Sequence, residues 1–129
     1  MRDPVRQKKV VETPEERVRQ AVIQLLVDQL KVPASLIAVE KAITIQNELK
    51  RADLVVYDRR GKAWMVVECK APGISINQGT FDQIANYNRV LRAPFLFVTN
   101  GNDHLCARIE DAKISFLDAL PRWTSGIDS

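Results

Sequence analysis

Two apolar runs, Leu54–Tyr57 (LVVY) and Ala63–Cys69 (AWMVVEC), are joined by the polar segment Asp58–Lys62 (DRRGK). Both runs are rich in strand formers and the connection carries a glycine, so the stretch predicts a β-hairpin. A pivot about Arg60–Gly61 sets Asp53 opposite Glu68, Val55 opposite Val66 and Tyr57 opposite Trp64. Lys70 then stands opposite Arg51. Side chains alternate along a strand, so this register puts Asp53, Glu68 and Lys70 on one face with the apolar pairs. A slip of one residue would scatter them. Charged groups are seldom fully buried without a partner. A sheet core bounded by Asp53, Glu68 and Lys70 therefore limits what this chain can be.

The neighbouring segments extend the pattern. Thr13-Pro14-Glu15-Glu16 reads as an N-cap, a first-turn proline and a capping-box glutamate. Val18, Ala21, Val22, Leu25 and Leu26 then recur at helical spacing and predict a helix over 14–31, ended by Pro33. Residues 37–46 alternate as a strand. A second helix is expected over 79–92, with Ile84, Tyr87 and Leu91 along one side and Pro94 as its stop. Residues 93–99 (APFLFVT) read as a buried strand, Asn100-Gly101 as a turn, and 104–109 and 114–117 as further strands. The order α-β-β-β-α-β-β, plus that last short strand, predicts an α/β (α+β) fold with a mixed central sheet flanked by helices. Residues 1–12 are expected to be a loose arm, 13–120 a single domain and 121–129 a tail.

A chain of 129 residues suits one domain. A net charge of +3 permits a polyanionic partner without requiring one. With Cys69, Cys106 and His104 as its only thiol and imidazole ligands, the chain cannot build the usual four-ligand zinc site. A disulfide stays open on these residues, although no secretory signal points to an oxidising compartment. No apolar run approaches a membrane span, and a cytoplasmic protein is expected. No helix-turn-helix, zinc finger or glycine-rich phosphate loop is present.

Two carboxylates opposed across a sheet repel each other unless a cation lies between them. Lys70 would compensate in part. A divalent ion would do more, and hard carboxylate oxygens suit Mg²⁺ or Mn²⁺. Such an ion on Asp53 and Glu68 would activate water and polarise a phosphoryl group, with Lys70 holding the water or stabilising developing charge. On spacing alone an alternative stands beside this: solvated strand ends and an ordinary Glu-x-Lys ion pair. Trp64, Phe95 and Phe97 read as core, and His104 as a surface residue. Glu40 reads as exposed or paired with Lys41 or Lys50. Arg59, Arg60 and Lys62 read as turn charges within reach of phosphates.

Asp53 followed by Glu68-Cys69-Lys70 resembles the D…(D/E)xK signature of the PD-(D/E)xK nuclease superfamily. TPEERVRQ, RADLVVYD, VVECKAP, QIANYN and APFLFVTNG together resemble the N-terminal nuclease domain of type I restriction enzyme R subunits, over roughly residues 13–117. The resemblance implies a restriction-endonuclease-like fold that hydrolyses DNA phosphodiesters with Mg²⁺, Mn²⁺ serving as a substitute. It implies Asp53, Glu68 and the backbone carbonyl of Cys69 as metal ligands and Lys70 as the catalytic lysine, with the Cys69 side chain turned into the core. Ala52 stands where the superfamily name has proline. Gln83 and Tyr87 fit a Gln-x3-Tyr helix beside the site, Gln83 touching a phosphate or water. Their alternatives are an exposed helix residue and a core residue. The first-helix glutamate that the superfamily places near the metal falls on Glu16, although Glu16 also fits capping and Glu15 lies nearer the apolar stripe. DNA, other restriction-system subunits and a second copy of the chain are the implied partners. No Walker A motif accompanies these blocks, so the chain is expected to be an excised domain or a small stand-alone relative, without translocation. The alternative of another class is a module of the same fold that binds nucleic acid or other subunits without catalysis.

Overall fold

Thr13 has an extended backbone and its Oγ1 accepts from the Glu16 N–H at 3.1 Å, which starts helix α1 (Pro14–Asp28) with proline in its first turn. The computed structural model describes residues 2–3, 5, 8–9, 12–111 and 113–123. The expected arm and tail therefore fall largely outside the described residues. Within the arm, β1 (Arg2–Asp3) and β2 (Lys8–Lys9) form a short antiparallel ladder. Helix α1 buries Val18, Val22, Ile23 and Leu26, whereas Ala21 is exposed and Leu25 half-buried. The expected stripe is thus rotated toward Ile23, and Arg19 occupies a position on it.

After a 3₁₀ turn at Ala34–Leu36 come β3 (Ile37–Ile45), β4 (Glu48–Tyr57), β5 (Ala63–Cys69), α2 (Gln78–Leu91), β6 (Phe95–Thr99), β7 (His104–Glu110) and β8 (Lys113–Leu117). These last six strands form one sheet in chain order. Every neighbouring pair is antiparallel except β5 and β6, which are parallel and joined through α2. The mixed α+β sheet with flanking helices is as expected. Strand β4 is longer than the Leu54–Tyr57 run: its polar first half pairs with β3 through a two-residue turn at Gln46–Asn47. Both turn residues have positive φ (51° and 65°), as a type I′ hairpin demands.

The helices cover opposite faces of the sheet. Leu54, Val56, Met65, Val67, Cys69 and Phe97 pack with α1, and Val55, Val66, Leu96 and Val98 pack with Phe81, Ile84 and Tyr87 of α2. The central strands are buried on both sides and read as nearly continuous apolar runs, the normal signature of a doubly covered strand.

The hairpin register is Leu54↔Val67, Val55↔Val66 and Val56↔Met65, as expected. A bulge then shifts it, so that Tyr57 pairs with Ala63 rather than Trp64. The extra residue on β5 is Trp64, which turns to the α1 face and tilts against Phe95 at 5.2 Å between ring centroids. The expected Lys70–Arg51 opposition is also absent. The ladder stops at Leu54↔Val67, and the Lys70 N–H bonds to Thr99 O on β6 at 2.8 Å.

Helix α2 begins with a capping box between Asn77 and Thr80 and ends at Arg92, which adopts a left-handed conformation. Buried Asn88 then closes the corner into β6. Its Nδ2 donates to Ala93 O at 2.9 Å, and its Oδ1 accepts from Ala93 N at 2.7 Å. Asn88→Ala leaves both Ala93 groups buried without partners. It is expected to lower unfolding free energy by about 2–4 kcal/mol, read as a reduced urea midpoint at unchanged slope.

Candidate active site

The middle of β4, the end of β5, the first turns of α1 and the second turn of α2 converge on interior strands of the sheet. Asp53 follows Leu54 outward on β4, and its Oδ2 accepts from the Cys69 N–H at 2.7 Å. Its Oδ1 accepts from Arg19 Nη2 at 2.9 Å. The sheet is irregular at this point. Val39↔Leu54 and Lys41↔Ala52 are paired, but the intervening Glu40 and Asp53 are not, and Glu40 has φ 53°. The pleat changes phase there: Leu54 packs with the α1 side, while Val55 and Ala52 both pack with the α2 side. That break lets Asp53 reach α1 while staying beside Glu68.

Buried Glu68 near the end of β5 and Lys70 just beyond it lie 3.3 Å apart between Oε1 and Nζ. Lys70 Nζ also donates to Gln83 Oε1 at 3.4 Å, and Gln83 Nε2 donates to the Tyr87 hydroxyl at 3.0 Å. Gln83 is exposed and Tyr87 is buried among the α2-side core residues, so the two share one chain of hydrogen bonds. The Cys69 side chain is buried on the α1 side. Burial pushes its thiol far above the ordinary range, and the charge of Asp53 adds to this. Both cysteines are free, so the disulfide left open by the residues is not formed.

Glu68 is the most perturbed carboxyl of the site. Burial, the charge of Asp53 and a hydrogen bond shared with it together raise its pKa to about 7, against the opposing charge and hydrogen bond of Lys70. The two carboxylates are therefore close and only partly neutralised. On the other side, Arg19 is buried in the α1 stripe. Its Nη1 donates to Glu16 Oε2 at 3.1 Å, and its Nη1 and Nη2 lie 3.9 and 3.8 Å from Glu40 and Glu15. Burial alone would lower its pKa, but the bond to Asp53 and the charges of Asp53 and Glu16 raise it instead.

Sequence reasoning overlooked Arg19. The signal is its spacing: Arg19, Val22, Ile23 and Leu26 form a single i, i+3, i+4, i+7 set, so a cation stands where an apolar residue belongs. Glu16 is buried and linked to Asp53 through Arg19, while Glu15 is exposed. Glu40 leans toward Arg19 rather than Lys41 or Lys50, and Lys50 pairs with Glu48. Trp64 and Phe97 lie in the core as expected. His104 is exposed, stacked on Phe97, with its Nδ1 2.7 Å from Thr99 Oγ1. Arg59 lies over the ring of Trp123.

A raised carboxyl pKa means that the folded chain holds the Glu68 proton more tightly than the unfolded chain does. Its contribution to stability is therefore full below about pH 4.5 and is lost as pH rises through about 7. Glu68→Gln is expected to remove this loss and to stabilise the metal-free protein at pH 8 by on the order of 2 kcal/mol. Urea unfolding of both proteins across pH 4.5–8 in chelator checks it, and parallel profiles would contradict it.

No helix among the described residues is long and apolar enough to cross a membrane. The chain is 32% identical over 74 residues to the type I restriction enzyme EcoAI endonuclease subunit of Escherichia coli, an alignment covering 57% of this chain and 9% of that subunit. Residues 14–121 match the family described as the type I restriction enzyme R protein N terminus, and the chain belongs to that family.

Proposed function

We propose that the domain hydrolyses DNA phosphodiester bonds with a divalent cation, Mg²⁺ or Mn²⁺, held by Asp53, Glu68 and the backbone carbonyl of Cys69. The observation that carries this is the under-neutralised Asp53–Glu68 pair at the sheet end, with Lys70 at 3.3 Å. The donor chemistry fits. Among the described residues no three His, Cys, Asp or Glu side chains are placed to hold one metal ion together, so the side-chain set is two carboxylates. Two carboxylates and a carbonyl are the hard, oxygen-only set that a Mg²⁺-like ion prefers. Asp53 already accepts from Arg19 and the Cys69 N–H, but an ionised carboxylate offers about four lone-pair sites.

When bound, the ion would supply Lewis-acid polarisation of a phosphoryl oxygen. The protein supplies the rest. The Cys69 N–H fixes the orientation of the Asp53 carboxylate, and β5 fixes Glu68 beside it. Lys70, steered by Glu68 and Gln83, presents an ammonium that orients the attacking water or stabilises charge building on the phosphate. Gln83, held by Tyr87, is exposed enough to meet a phosphate. The membership in a restriction-enzyme family, and a relative that is an endonuclease subunit, support DNA as the substrate and other subunits of such a system as partners.

The test is cleavage of supercoiled, linear and single-stranded DNA with Mg²⁺ or Mn²⁺. Wild type is expected to cut, chelator to abolish cutting, and Lys70→Ala and Asp53→Asn to reduce it by roughly 10²–10⁴-fold. DNA binding is expected to weaken as salt rises, because phosphate contacts release counterions. Metal binding without cleavage of any DNA form would instead favour a catalytically silent nucleic-acid-binding or subunit-interaction module.

A further inference from the structure

Arg19 and Glu16 are buried beside the site, and the proposed hydrolysis leaves both without a task. The Arg19 guanidinium bridges two carboxylates, Glu16 at 3.1 Å and Asp53 at 2.9 Å, through different terminal nitrogens. The arginine side chain is 9% exposed, and its buried Nε has no hydrogen-bond partner among the described residues. The fork is therefore not held by complete satisfaction of its donors. Opposed carboxylates on two sides hold it. Glu15 and Glu40, both half-exposed, lie just beyond hydrogen-bond distance of the same guanidinium.

Resting on the reading of Asp53 and Glu68 as ligands, we propose that Arg19 is a built-in cation that takes the place of a second divalent ion, limiting the site to one ion on the Glu68 side of Asp53. Glu16 and Asp53 are the pair of carboxylates that a second ion would share, and the arginine fork occupies the space between them. A divalent ion there would meet the guanidinium at short range, where burial leaves little solvent to screen them. Arginine suits the role because it cannot lose its charge and its planar fork meets two carboxylates at once. Glu16 is then a positioning residue that holds Arg19 against Asp53, rather than a metal ligand.

Calorimetric titration with Mn²⁺ alone, without DNA, tests this. Wild type is expected to bind one Mn²⁺ per chain, and Arg19→Met, which keeps the bulk and removes the charge, is expected to bind two. Adding Glu16→Gln to Arg19→Met should return the stoichiometry to one. Arg19→Lys, which keeps a cation, should also stay at one. Two ions in wild type, or one in Arg19→Met, would overturn the role of Arg19 while leaving the Asp53–Glu68 site standing. No Mn²⁺ bound by folded wild type would instead remove the metal reading itself. Glu16→Gln alone keeps the proposal testable if Arg19→Met does not fold. A Mn²⁺ affinity within about two-fold of wild type is expected, and a loss of tenfold or more would make Glu16 a ligand and overturn the inference.

Discussion

The bonds made by Asp53 organise this edge of the molecule. One carboxylate oxygen takes the N–H of Cys69 on β5, and the other takes a guanidinium nitrogen of Arg19 on α1. A short acidic side chain on β4 thereby fixes the end of the next strand and the helix that covers one face of the sheet. Bonds to a charged acceptor are roughly twice as strong as neutral ones, and these are at least partly shielded from water. Glu68 gains its position from the same arrangement, because the strand that presents it is pinned one residue away.

The cost of the arrangement is electrostatic. The fold brings Asp53 and Glu68 together in a poorly solvated place, and burial and mutual repulsion push Glu68 toward its neutral form. A core built only for stability would put apolar residues there. The cations are distributed unequally. Arg19 serves the Asp53–Glu16 side, while Lys70, partly exposed, serves Glu68 and is shared with Gln83. The side left short of positive charge is the one between Asp53 and Glu68, which is where the proposed chemistry needs a cation.

Much of this was legible in the sequence because the pleat has period two and the turn was clearly marked. The apolar alternation and the polar DRRGK segment specified Val55↔Val66 correctly, and that register carries Asp53 and Glu68 toward each other. The departures have local causes. Trp64 left its expected face because packing against Phe95 is satisfied by a bulge, which no alternation pattern encodes. The first half of β4 fell outside the expected Leu54–Tyr57 strand because Glu48, Lys50 and Arg51 pair through their backbones on a rim where the side chains face water. The phase change at Glu40 and Asp53 was hidden for a similar reason. It depends on Glu40 adopting a left-handed backbone, with its side chain turned toward a cation on another element. Arg19 was missed because a single charge on an apolar stripe looks like an edge of the stripe until its partners are known.

The central claim is that Asp53 and Glu68 jointly hold a divalent ion. Anomalous diffraction from crystals grown with Mn²⁺ tests it most directly. The account predicts one strong peak bridging the two carboxylates near the Cys69 carbonyl, with Arg19 still between Asp53 and Glu16. A fully occupied Mn²⁺ elsewhere, or none at this pair with both carboxylates as they stand here, would contradict it.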